Sequence, residues 1–224
     1  MPLPKIATPT YELELPSSGK TVQYRPFLVK EEKLLVIALE SEDTKQITTA
    51  IKAVIKACIK TRGVKVEALP TFDIEYLFLN IRGKSVGENL DVNIICPDDK
   101  VTEVKVNINL EDIKCHKNPD HTNKIQLDSN LIMEMKYPSL DEFIKSNFDM
   151  QEQNQMEQSF DLIAQCIDKI YNEEEVWATE DCSKKEMSDF LESMPKLSHT
   201  IKVKNPKTKV ESDVVLEGLA SFFA

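Results

Sequence analysis

Two segments of the 224-residue chain repeat one β-hairpin pattern, which commits the fold to antiparallel pairing at two places far apart in sequence. The first runs from Ile95-Cys96-Pro97-Asp98-Asp99-Lys100-Val101 through Val104, Val106 and Ile108 to Leu110-Glu111-Asp112-Ile113. The second runs from Lys204-Asn205-Pro206-Lys207-Thr208-Lys209-Val210 through Val214 to Leu216-Glu217-Gly218-Leu219. A proline turn followed by apolar residues at every second position is hairpin chemistry. A zinc hairpin would carry Cys-x-x-Cys at such a turn, because tetrahedral zinc takes two thiolates from one knuckle. Here the two turns supply a single thiol, Cys96, so neither a structural metal nor any other cofactor is expected. The recurrence is either an internal duplication or the ordinary frequency of proline turns before strands.

Outside these segments the hydrophobic period alternates between two and 3.6. Tyr11, Leu13 and Leu15 alternate up to Pro16-Ser17-Ser18-Gly19, and Val22 and Tyr24 continue beyond it, which predicts an N-terminal hairpin. Leu34, Leu35, Ala38 and Leu39 then recur at helical spacing behind a charged first turn, Lys30-Glu31-Glu32-Lys33. Asp43 with Gln46 reads as a helix cap ahead of the stripe Ile47, Ala50, Ile51, Val54, Ile55, Cys58 and Ile59. Lys45, Lys52, Lys56 and Lys60 lie off that stripe and read as a solvated face rather than an anion-binding one. A third helix starts near Pro70-Thr71, buries Phe72, Ile74, Leu77, Phe78 and Ile81, and ends at Gly83 and Gly87. From Leu90 to Tyr137 the period is two, with Lys114 to Lys124 as a long loop. Beyond Pro138, Ser139 with Glu142 and Ser183 with Glu186 read as capping boxes, and Met156, Phe160, Ile163, Ala164, Ile167, Ile170 and Tyr171 stripe one long helix. Met187, Phe190, Leu191 and Met194 stripe another before Pro195.

The fold class expected is α+β: one antiparallel sheet to which the N-terminal hairpin adds, amphipathic helices packed on it, then a C-terminal helical region and a terminal hairpin. The organisation expected is an N-terminal region 1–148 and a C-terminal region 149–224, as two packed halves or one unit.

Charge and motifs exclude several functions. Lys and Arg total 28 against 38 Asp and Glu, and a net charge of -10 opposes binding to phosphate backbones or anionic lipid. No nucleic-acid partner and no membrane association is expected. The opening Met1-Pro2-Leu3-Pro4 lacks the features of a signal peptide, and five scattered cysteines suit reduced thiols, so cytoplasmic synthesis is expected. Gly19-Lys20-Thr21 and Gly83-Lys84-Ser85 spell the end of a phosphate-binding loop, but Glu14 and Phe78 stand where its first glycine must be. Cys115-His116 with His121 offers the one reactive or zinc-binding cluster; the intervening Asn118-Pro119-Asp120 reads as an exposed turn, so the chain is not expected to be an enzyme.

The run Leu15-Pro16-Ser17-Ser18-Gly19-Lys20, then Tyr24-Arg25-Pro26-Phe27-Leu28-Val29-Lys30-Glu31-Glu32-Lys33-Leu34-Leu35 and Ala38-Leu39-Glu40-Ser41, resembles the opening of baseplate hub assembly proteins of contractile-tailed, T-even type bacteriophages. The ending Leu216-Glu217-Gly218-Leu219 with Phe222-Phe223 is similar to the same family's C-terminus. The resemblance implies a non-enzymatic tail assembly protein, a hub component or chaperone-like factor. Its implied partners are baseplate hub proteins and the tape-measure protein, in the host cytoplasm and the virion tail. Some members carry Cys-Pro-x-Cys at the two hairpins, a pattern from which this chain departs; a degenerate zinc-ribbon-like adaptor for nucleic acid or another protein is the competing reading. Candidate partner-binding residues are Leu219, Phe222 and Phe223, an apolar cluster beside the chain end, and Trp177, the single tryptophan. Each alternatively packs on the protein's own core.

Overall fold

The computed structural model describes residues 8–41, 43–128, 131–140, 164–171, 176–177, 190–218 and 221. Contacts gather the chain into two units: Met1–Val66 with Phe72–His116 and Lys196–Ala224, and Glu67–Thr71 with Lys117–Pro195. The expected boundary at residue 148 lies outside the described residues. The grouping nonetheless differs from 1–148 and 149–224, because the C-terminal strands return to the first unit. The class is α+β.

In the first unit, β1 (Tyr11–Glu14) and β2 (Thr21–Tyr24) form the expected hairpin. Gly19, at φ 65, lets its amide turn back onto the Leu15 carbonyl at 2.8 Å. The hairpin forms its own two-stranded ladder instead of joining a larger sheet. Its second strand continues onto the end of a helix, where the Arg25 amide donates to the Cys58 carbonyl at 3.0 Å. That helix, α2 (Thr44–Cys58), follows α1 (Val29–Glu40). Asp43 caps α2 by accepting from the Lys45 amide at 2.8 Å and the Gln46 side chain at 3.0 Å. Its apolar stripe faces inward, with Ala50 buried, Val54, Ile55 and Cys58 fully enclosed and Ile47, Ile51 and Ile59 half-buried. A third helix, α3 (Thr71–Val86), runs through Gly83 and stops before Gly87. Gly83 is not the terminator expected; it sits within the helix because Leu110 packs on it, 3.5 Å from where a Cβ would stand.

The two repeated segments are both hairpins. β3 (Asn89–Ile95) pairs with β4 (Glu103–Asn109), and β10 (Lys196–Lys204) pairs with β11 (Glu211–Glu217). Val92, Ile94, Cys96 and Ile108 from the first meet Leu197, Ile201, Val203 and Leu216 from the second in one core, closed by Leu79 of α3. Burying alternate residues of both hairpins in one layer is what their period of two requires. The start of β10 also pairs with β5 (Lys114–His116), so the stretch expected as loop from Lys114 is partly strand.

The second unit is a four-stranded antiparallel sheet: β6 (Lys124–Asp128), β7 (Leu131–Met135), β8 (Ile167–Tyr171) and β9 (Val176–Trp177). The single sheet expected over Leu90–Tyr137 is therefore split among separate ladders. The long helix expected through Ile167, Ile170 and Tyr171 is also corrected, since Ala164 and Gln165 are helical but Ile167–Tyr171 is strand. β7 would otherwise expose a row of backbone donors and acceptors, and β-branched Ile167 and Ile170 fill its flank over Met133 and Met135. Of the C-terminal helical region expected over 149–224, Ala164, Gln165 and residues 190–193 are helical, residues 149–163, 172–175 and 178–189 lie outside the described residues, and the expected terminal hairpin is present over Lys196–Glu217. The capping-box partners Glu142, Ser183 and Glu186 lie outside the described residues. His121 anchors this unit's aromatic cluster; its ring lies against Tyr137 and Phe190 and bonds Ser193 Oγ at 2.8 Å and the Tyr137 hydroxyl at 2.9 Å.

Candidate interaction surface

The segment Arg25-Pro26-Phe27-Leu28 is built to launch α1 at a fixed angle. Arg25 Nη2 donates to Glu31 Oε1 at 3.0 Å, its Nη1 donates to the Pro26 carbonyl at 2.8 Å, and the Leu28 amide donates to Glu31 Oε2 at 2.8 Å. Phe27 adds an amide bond to Ser85 Oγ of α3 at 2.9 Å. Burial alone would raise the pKa of Glu31, but the bonds from Arg25 and Leu28 and the charges of Arg25 and Lys30 outweigh it and hold the carboxyl below its ordinary value. The glutamate is thus a charged, buried cap for the first turn.

Beyond its charged first turn the helix so positioned is apolar on every side, since Leu34-Leu35-Val36-Ile37-Ala38-Leu39 covers more than a full turn. A helix with that pattern is normally enclosed. Yet Val29, Leu34, Val36, Ile37 and Leu39 are between 42% and 78% exposed, and only Ala38 among its apolar residues is buried. Leu34, Ile37 and Ala38 form one wall of an open groove of about 370 Å³ whose other wall is Lys45, Gln46, Thr49, Ala50 and Ala53 of α2. The sequence shows the apolar run; it does not show that the run stays uncovered, because period alone cannot tell a core face from a docking face.

The two knuckles face each other. Lys100 and Lys209 take the same left-handed conformation, φ 54 and 63, and their amides return to Cys96 and Asn205 carbonyls, each at 2.9 Å. Asn205, 1% exposed, donates through Nδ2 to both oxygens of Asp98 at 3.0 Å, and Thr208 donates its hydroxyl to Asp98 as well. Asp99 accepts from the Thr102 amide at 3.0 Å and its hydroxyl at 2.5 Å. These bonds hold both aspartates below the ordinary carboxylate range. Burial and the charges of Asp98 and Asp99 push the Cys96 thiol up. Hydrogen bonds therefore occupy the place a zinc knuckle pair would fill.

The remaining candidates behave as structure. Cys115 is pushed up to about 12 by burial and by Asp73 and Glu75, which disfavours the thiolate. His121 serves the aromatic cluster described above, and no group of three or more metal-ligating side chains occurs among the described residues. Lys84 of the Gly83-Lys84-Ser85 triplet is held by Glu88 at 2.5 Å and Glu111 at 2.8 Å, while Ser85 donates to Ile81. No helix among the described residues is long and apolar enough to cross a membrane. Trp177 enters β9 through its backbone, opposite Ile170, and its side chain lies outside the described set. Leu219, Phe222 and Phe223 also lie outside the described residues.

No curated protein and no solved structure matches the chain. A family model does, over residues 8–224, and its description is T4 bacteriophage base plate protein.

Proposed function

Since the chain belongs to this T4 base plate protein family, we propose that it works at the baseplate hub, as a non-enzymatic protein that assembles the hub by protein–protein contact. The observation that carries this reading is α1, whose second half is apolar all round, fixed by Arg25 and Glu31 and left widely exposed by the described residues. An isolated chain gains nothing from that arrangement, whereas a subunit gains a face to bury against a neighbour. The partners proposed are hub proteins and the tape-measure protein, met in the host cytoplasm and retained in the tail or released once the hub closes. Leu219, Phe222, Phe223 and Trp177 are proposed as further partner contacts.

The test is co-expression of the chain with tail hub and tape-measure proteins from the same phage, followed by affinity capture. Stoichiometric capture is expected, with loss in a Leu34→Asp, Ile37→Asp variant whose circular dichroism is unchanged. Absence of any tail protein from the captured material would refute the reading. Mass spectrometry of purified virions separates a resident subunit from a released factor.

A further inference from the structure

The main stretch of the second unit begins at Lys117 and ends at Pro195, and the two ends are tied together inside it. His121 near the first end meets Ser193 near the second, Nδ1 to Oγ at 2.8 Å. Ser193 donates its one hydrogen to the Phe190 carbonyl at 3.2 Å, so the Nδ1 of His121 carries the hydrogen that Ser193 accepts. Nε2 is then bare and accepts from the Tyr137 hydroxyl at 2.9 Å. The ring also packs on Tyr137 and Phe190, with centroids 5.6 and 5.0 Å away. One neutral imidazole thus joins the loop after β5, the chain after β7 and the turn at 190–193.

A second proton has no place in this arrangement. It would sit on Nε2, where the Tyr137 hydrogen already points, and it would charge a half-buried ring. The charged side chains of the segments around the ring are Lys117 and Asp120 in its own loop, Lys136 beside Tyr137 and Glu192 beside Ser193. Among the described residues the charge that reaches the ring is that of Lys117, which is also positive. Burial and Lys117 together hold the imidazole below its ordinary value.

We propose that His121 is a proton-sensitive clasp, closed while its ring is neutral and weakened when the ring is protonated, so that the second unit loosens in mildly acidic solution. The folded value lies below the unfolded one, so the clasp contributes its full stability above an unfolded value of about 6.5 and loses it as pH falls through the folded value.

The experiment unfolds the full chain in urea and follows Trp177 fluorescence, since the single tryptophan belongs to the second unit. His121 is that unit's one histidine, because His116 and His199 fall in the first. Ordinary carboxylates titrate lower and thiols higher, so a change between about pH 7.5 and 5.5 reports on this ring. Over that range the urea midpoint should fall by about 0.2 M or more, which corresponds to a twofold change in the folding equilibrium. His121→Phe keeps the aromatic contacts and should hold the midpoint constant. In an NMR titration of the carbon-13-labelled histidines, His121 should titrate below about 6.5. Tyr137→Phe should raise that titration midpoint, because the donor to Nε2 is gone, and it carries the test should His121→Phe not fold. A flat urea midpoint in the native chain, an equal fall in His121→Phe, a His121 titration at or above about 6.5, or one that Tyr137→Phe leaves in place overturns the proposal.

Discussion

Removing the Arg25 guanidinium should release α1 from the rest of the first unit. In the native chain Arg25 and Glu31 meet at 3.0 Å with their side chains 15% and 6% exposed. The gross attraction at such separations is about 4 kcal/mol at an effective dielectric near 20. Desolvation cancels much of it. Lys30, whose Nζ lies 3.4 Å from Glu31 and whose side chain is 74% exposed, would compensate part of the remainder. Arg25→Ala therefore leaves a poorly solvated carboxylate and an unpaired Pro26 carbonyl, at a cost of about 2 kcal/mol. The sign of the pH dependence follows from Glu31. Its folded pKa lies below the unfolded value, so its contribution is present above the unfolded pKa and disappears as pH falls through the folded one. Without Arg25 the depression shrinks, so wild type and variant should differ fully at neutral pH and converge as pH drops below about 4. Urea unfolding at several pH values measures this, with Arg25→Met, Glu31→Gln as the paired control that removes both charges and should recover part of the loss. A deficit that stays the same from pH 7 to well below pH 4 would refute the account, because it would assign the role of Arg25 to packing of its stem instead of its charge.

Elemental analysis of the purified chain should find no stoichiometric zinc, and Cys96→Ser should cost only the modest loss of a buried thiol; one zinc per chain, lost on that substitution, would contradict the hydrogen-bonded knuckles. Gly218→Ala should destabilise the first unit by about 1 kcal/mol, since φ is 66 there and the new Cβ would stand 3.3 Å from Glu75 Oε1; an unchanged melting temperature would show that the segment reorganises. Phe222→Ala with Phe223→Ala should leave the melting temperature nearly unchanged while abolishing co-purification with hub or tape-measure proteins. A fall of several degrees with binding retained would assign those residues to the core.

Local chemistry was enough to place the N-terminal hairpin, the Asp43 cap, the buried stripe of α2 and the two proline knuckles, because each depends on residues within a turn or two of one another. The acidic surface and the failed phosphate-loop matches were likewise properties of the chain itself. Partner choice between distant segments was not. That Ile167–Tyr171 is strand rather than helix depends on the open edge of β7, and the passage of α3 through Gly83, where an end was expected, goes with Leu110 lying across it. Asp98 meets Asn205 only because two hairpins more than a hundred residues apart in sequence share one core. The same limit applies to the candidate surface. Sequence placed six apolar residues in a row on α1, and tertiary structure leaves most of them exposed among the described residues, since an apolar period records what a helix needs to bury and the fold decides whether its own chain or another one buries it.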